Sequence, residues 1–431
     1  MRTNHHSPLQ QFYSILLMNR SYTFPLIIIG IFFFIFGFVT WLNGILIPYL
    51  KIACELKTDV QAYLVTFAFY ISYFVMALPS AWVLNKIGFK NGMSLGLFVM
   101  ALGAVIFIPA ANTRTYELFL LGLFVQGTGL AILQTAANPY IAVLGNPESA
   151  AQRISIMGIA NKVAGIISPI ILGTIILSDA GDIDNALKTL EGNSRIEYLS
   201  TLSSKVITPY AIMASVLVLL ALMLRFAKLP QIEESKTDTT DEKTTHSNIL
   251  QYPQLVLGVI ALFLYVGVEV MAGDTIAGYG KFWGFTDVKY FTSYTLVGML
   301  VGYVIAIFTI PKYISQQKTL MISAVLGIVF SLVAVFTEKE TSIMAIALLG
   351  LANSVMWPAI FPLAISDLGK LTKTGSAMLI MAIAGGAVLP LLYGALADNK
   401  SIGLQNAYWL LVPAYLFIAY YGYKGYAKRK W

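Results

Sequence analysis

Charge is what this chain of 431 residues has least of: 11% of its side chains are charged, against 58% that are hydrophobic. Soluble globular chains carry about 25% charged residues, so a water-exposed surface of this size is excluded. The single cysteine, Cys54, excludes an intramolecular disulfide and a cysteine-based zinc centre. Histidine is nearly as scarce, and His5, His6 and His246 all stand in polar segments away from metal-ligand spacing. A phosphate loop and a nucleophile elbow are both missing, which argues against an enzyme, and no catalytic residue is assigned. The formal charge of +7 is scattered through loops rather than gathered into a patch, so nucleic acid is not the expected partner. Residues 1–24 are mostly polar and show no small-residue cleavage site, so no cleavable signal peptide is expected.

What the chain does have is long apolar runs. A bilayer core of about 30 Å consumes about 20 helical residues per crossing, and runs of that kind lie near 25–50, 60–84, 92–111, 116–143, 153–178, 205–227, 253–278, 287–311, 319–337, 342–366, 374–397 and 404–423. That predicts twelve helices. Barrel strands would alternate in polarity over about ten residues, which these runs do not. Between the sixth and seventh runs, 228–248 holds Glu233, Glu234, Lys236, Asp238, Asp241, Glu242 and Lys243 with almost nothing apolar, and reads as a solvated linker. The expected organisation is a segment 1–24, a six-helix bundle 25–227, the linker 228–248, a second six-helix bundle 249–423 and a basic tail 424–431. Placing both termini in the cytoplasm puts 17 of the 28 basic residues inside and 10 outside, with Lys162 left within a run; that is the sense the positive-inside rule requires.

The two halves also echo one another. Ile156-Met157-Gly158-Ile159-Ala160 in the fifth run recurs as Ile380-Met381-Ala382-Ile383-Ala384 in the eleventh, 224 residues later. Asn138-Pro139 in the fourth run is matched by Trp357-Pro358 in the tenth, and Lys86 and Lys90 after the second run by Lys312 and Lys318 after the eighth. Internal duplication of this kind is the usual construction of transporters.

Three charged residues fall well inside predicted spans: Lys162, Glu269 and Asp274. Each costs at least about 2.5–3.5 kcal/mol at the bilayer centre unless it faces water or a partner, so each marks a cavity, an ion pathway or a buried ion pair. Glu269 and Asp274 are about 140° apart on a helix and can share an ion only if the chain unwinds, for which Ala272-Gly273 is the expected place. Amides form a second set: Asn43, Gln61, Gln126, Gln134, Asn138, Asn161 and Asn353. They donate and accept hydrogen bonds and so suit a ligand covered in hydroxyls, or alternatively join helix to helix. Trp41, Tyr70, Tyr73, Trp283, Trp357 and Phe361 offer faces for the apolar side of a sugar ring, or packing. Pro139 is expected to bend the fourth helix towards the cavity.

Several of these residues sit in recognisable strings. Phe36-Gly37-Phe38-Val39-Thr40-Trp41-Leu42-Asn43-Gly44-Ile45-Leu46-Ile47-Pro48-Tyr49-Leu50-Lys51 resembles the first helix of the fucose/galactose/glucose symporters of the major facilitator superfamily. Leu133-Gln134-Thr135-Ala136-Ala137-Asn138-Pro139-Tyr140-Ile141 resembles their fourth, Tyr265-Val266-Gly267-Val268-Glu269 their seventh, and the stretch from Trp357-Pro358-Ala359-Ile360-Phe361 to Gly385-Gly386 their tenth and eleventh. The resemblance spans nearly the whole chain. It implies an all-α integral membrane protein with the twelve-helix major facilitator fold, two pseudo-symmetric six-helix bundles around a central cavity. It also implies import of a hexose across a bacterial inner membrane by alternating access, by a monomer that needs lipid and no cofactor.

Two departures bear on coupling. Gly44 stands where the proton-coupled fucose permease has an aspartate, and Gln134 where it has a glutamate, and neither can titrate. The expectation is therefore that the coupling charge has moved to Glu269 and Asp274, with sodium as the ion they hold and protons or uniport as alternatives. Asn43, Gln134, Asn138, Asn161, Asn353 and Trp357 are the expected sugar contacts. A non-transporting sugar sensor and an exporter of apolar drugs are the competing classes.

Overall fold

The computed structural model describes residues 20–143, 150–176, 180–226, 248–310, 313–368 and 371–431. The expected linker, except for Asn248, and most of the N-terminal segment lie outside them. Within the described residues the first half comprises α1 (Arg20–Thr40), α2 (Asn43–Ala53), α3 (Asp59–Thr113), α4 (Tyr116–Val143), α5 (Ala150–Ile176), α6 (Ala180–Thr189), α7 (Gly192–Ser204) and α8 (Ile207–Phe226). The second comprises α9 (Pro253–Phe282), α10 (Phe291–Thr309), α11 (Gln316–Phe336), α12 (Lys339–Asn353), α13 (Met356–Ile365), α14 (Thr372–Met381), α15 (Gly385–Ala397), α16 (Gly403–Asn406) and α17 (Leu411–Tyr423).

Eleven of the described helices are long and apolar enough to cross a bilayer. The twelfth expected run is helical too, but divided into α16, a 3-10 turn over Ala407–Leu410 and α17. Helix α3 is two spans joined at Gly88, where φ of 76° turns the chain through a conformation glycine adopts without a Cβ clash. The first span is α1 with α2, the tenth α12 with α13, and the eleventh α14 with α15. The sequence reading assigned nothing between 178 and 205, where α6 and α7 form two short helices. Large apolar side chains such as Leu102, Met223 and Phe308 are exposed on the outer surface. An outside this apolar faces lipid, which is the solvent the composition called for.

Backbone contacts repeat the internal duplication. A Cβ on Gly37 in the first span would lie 1.8 Å from the Asn161 carbonyl oxygen in the fifth, and a Cβ on Gly385 in the eleventh would lie 1.8 Å from that of Phe263 in the seventh. Asn161 and Gly385 are 224 residues apart, the offset of the sequence repeat. The same crossing is built twice, with the glycine on opposite partners. A second pair behaves alike: Gly127 against Phe69 (2.3 Å) and Gly350 against Thr295 (1.8 Å). Small residues let helices approach closely where lipid supplies no hydrophobic drive between them. The two bundles are pseudo-symmetric.

The bundles meet tightly at the end where the second span starts and the eleventh stops. The Asp59 and Val60 backbone N–H groups donate to Asp398 Oδ1 (2.6 Å) and Oδ2 (2.9 Å). The rings of Tyr63 and Tyr393 meet edge to face at 5.4 Å. Ser293 Oγ donates to the Ile166 carbonyl (2.6 Å), fastening the eighth span to the fifth.

Candidate functional site

Two of the three intramembrane charges, Lys162 and Glu269, come together across the junction of the halves. Lys162 Nζ, on α5, donates to Glu269 Oε1, on α9, at 2.8 Å, and both residues are buried. Lys162 Nζ also lies 4.8 Å from the centre of the Trp41 ring, a distance at which the π face attracts a cation. That ring is wedged between glycines of both halves: a Cβ on Gly165 would come within 2.4 Å of it, and one on Gly273 within 2.3 Å. Tyr70, Tyr265, Tyr303 and Tyr415 lie within electrostatic reach of the Glu269 carboxylate.

Asp274 sits apart from this pair. Its Oδ2 accepts from the Thr66 hydroxyl of the second span at 2.8 Å, while its Oδ1 is buried with no hydrogen-bond partner. Tyr63 and Tyr70, also on the second span, are the other titratable groups that face it. By helical rise it lies about 12 Å from the Phe282 end of α9, whereas Glu269 lies about 20 Å in. The chain does not unwind at Ala272-Gly273, the condition for Glu269 and Asp274 to share an ion, because α9 runs unbroken from Pro253 to Phe282. Gly273 serves close contact instead, admitting Trp41. Its carbonyl accepts from Thr292 Oγ1 (2.9 Å), which would also meet a Cβ on Gly44 at 2.4 Å. An aspartate at position 44 would collide there.

The amides divide. Asn43 is fully buried where the first span breaks, and neither its Nδ2 nor its Oδ1 has a partner. Asn353, at the break in the tenth span, accepts from Tyr415 Oη (2.8 Å) and leaves its Nδ2 free. Gln134 and Asn161 are half-buried; Gln134 Nε2 donates to Tyr73 Oη (3.0 Å) and Asn161 Nδ2 to the Phe33 carbonyl (3.3 Å). Trp357 is half-buried and stacks on Phe361 at 5.8 Å. The Asn138 side chain lies outside the described ones, and α4 continues as one helix through Pro139 to Val143. Gln61 belongs elsewhere: it closes a capping box with Thr58 at the start of the second span. Gln126 packs against Gly103 within the first half.

Thr66, Tyr303 and Tyr415 carry site contacts that no run or motif distinguished. Tyr265 had a signal, since it lies one turn before Glu269 on one face.

Residues 29–390 match the family model of the Major Facilitator Superfamily. The chain belongs to that superfamily. It is 36% identical over 416 residues to a glucose/galactose transporter of Brucella abortus biovar 1 (strain 9-941), covering 94% of this chain and 95% of the relative. It is 31% identical over 389 residues to the L-fucose-proton symporter of Escherichia coli (strain K12), covering 88% of each. The crystal structure of the transporter FucP in its outward conformation superposes with a TM-score of 0.71 at 28% identity, over 94% of this chain and 99% of that one. These place the superfamily member in its sugar-transporter family, a class of transporters rather than enzymes.

Proposed function

We propose that this member of the superfamily is a secondary active importer of a hexose in a bacterial inner membrane, coupled to protons rather than to sodium. The observation that carries the coupling is Asp274, a carboxyl group sealed between the second and seventh spans with one hydroxyl partner and one open oxygen. A proton satisfies that oxygen alone. A sodium ion needs several oxygen ligands around it, and Thr66 is the partner Asp274 has, while Glu269 is held by Lys162. The fucose symporter named above is proton-coupled, which supports the same reading.

Asn43, Gln134, Asn138, Asn161, Asn353 and Trp357 are the proposed sugar contacts. Amides with free donors match hydroxyls, and the stacked Trp357 and Phe361 offer an apolar face. Gln134, Asn161 and Trp357 keep some exposure and lie in the halves of their spans on the side of the chain termini, so a sugar would reach them from that side. On the positive-inside orientation, the junction of the halves at Asp59 and Asp398 lies on the outer side.

Uptake of a labelled hexose panel into proteoliposomes, with sodium and proton gradients imposed separately, tests the reading. Accumulation should follow the proton gradient, and Asp274→Asn should abolish it while leaving sugar exchange measurable. Accumulation driven by sodium alone would refute the proton assignment, and no uptake of any hexose would refute the substrate class.

A further inference from the structure

Lys162 and Glu269 form a neutral unit from opposite halves, at mid-depth, with the Trp41 indole against it and Tyr265 beside Glu269. In a transporter that couples to an external cation, an acid in such a place holds the cation. Here the ammonium of Lys162 already occupies the position, 2.8 Å from Glu269 Oε1 and 4.8 Å from the Trp41 ring centre. We infer that Lys162 is a resident cation covering a latent monovalent-cation seat, made by the Glu269 carboxylate and the Trp41 face, so that this protein needs no metal ion there.

Three observations carry the inference. The seat is built rather than incidental: Trp41 is held over it by Gly165 and Gly273, neither of which tolerates a Cβ without displacing the ring. Both charges of the seat are buried, so an ammonium withdrawn from it leaves a carboxylate whose charge has to be neutralised by another cation or a proton. Its remaining groups suit a small cation, since Tyr265 beside Glu269 brings a hydroxyl oxygen and the indole brings π density. Lysine supplies the charge on a flexible stem that never leaves the protein. The pair spans the halves and stays neutral, so it adds no ion to the transport stoichiometry. The role of Lys162 is positional, acting through Glu269.

This inference rests on reading the chain as a transporter, yet its test uses neither sugar nor gradient and so fails separately from the proton assignment. Thermal unfolding of the purified protein would be measured in sodium, potassium and choline chloride at equal ionic strength. Wild type should show one Tm in all three salts. Lys162→Met keeps the stem and removes the charge, so it should unfold earlier in choline and regain a few degrees in sodium or potassium, rising with the logarithm of the metal concentration. Lys162→Met with Glu269→Gln should lose that response, and Lys162→Arg should behave as wild type. In Lys162→Ala, ethylammonium should restore the lost Tm, because it refills both stem and charge. A Lys162→Met protein that is folded and indifferent to the salt would overturn the inference and leave the pair as a fastener between helices. So would a Glu269-dependent sodium response in wild type, and so would failure of Lys162→Met and Lys162→Ala to fold in every one of these salts and in ethylammonium.

Discussion

Asp398, at the end of the eleventh span, takes the backbone N–H groups of Asp59 and Val60 at the start of the second span onto its two carboxylate oxygens, at 2.6 and 2.9 Å. One half of the molecule therefore caps a helix of the other. A carboxylate there satisfies orphan donors and meets the positive end of the helix dipole. Gly394 lets the two spans close, since its Cβ would lie 2.6 Å from the Tyr63 ring. Lys51 pairs with Asp59 from the first half, so the capped turn is also held from its own side.

Asp398→Ala is expected to weaken this closure by about 1 kcal/mol, roughly fivefold in the equilibrium between closed and open forms. Spin labels at Lys57→Cys and Lys400→Cys, in a Cys54→Ser background, should report a longer mean distance in the variant. Superimposable distance distributions would show that the tyrosine pair holds this end unaided.

Breaking the central ion pair by one partner is expected to cost about 3–5 kcal/mol, because it leaves a buried charge uncompensated. Glu269→Leu alone should lower Tm more than Lys162→Met combined with Glu269→Leu, since the double variant buries no charge. Equal losses in single and double variants would mean that water already reaches the pair.

The close crossings predict sharp glycine effects. Gly37→Ala and Gly350→Ala each place a Cβ 1.8 Å from a carbonyl oxygen of the facing helix, which forces the helices apart. Overpacking of this kind costs about 1–3 kcal/mol or more. Gly30→Ala is the control, with its nearest neighbour, Met157 Sδ, at 3.8 Å, an ordinary contact. Folded yield and Tm should fall for the first two and hold for the third; an unaffected Gly37→Ala would disprove the crossing.

Glu55, just beyond α2, ties α7 to the end of α3 through Arg195 (3.0 Å) and Arg114 (3.3 Å). Burial pushes its carboxyl up, but the two guanidiniums outweigh that and hold it below its ordinary value of 4.5. With the folded-state value depressed, the stabilisation is complete above 4.5 and is lost as pH falls below that value through the depressed one. The effect is small, because Glu55 is exposed and solvent screens the pairs. Hydrogen exchange over 192–204 should quicken at low pH and in high salt, and Glu55→Gln should be indifferent to both; identical pH profiles for the two proteins would dismiss this tether.

The sequence by itself determined the class of solvent, the number of spans, the duplication and the intramembrane charges. Each is a property of runs or spacings, and a bilayer demands apolar runs of set length whatever the packing. The motifs around Asn43, Gln134 and Glu269 also carried the family. Tertiary structure alone decided what the charges do. Lys162 and Glu269 are 107 positions apart, and nothing in spacing says that two helices from opposite halves meet there rather than at Asp274. Gly273 shows the reason most plainly: locally a glycine in a helix reads as a weak point, the place where the chain could unwind. A helix in lipid keeps its backbone bonds because no water replaces them, so the glycine is used for contact and Trp41 fills the space. Thr66 and the tyrosines entered the site by the same route, as neighbours that only tertiary packing supplies.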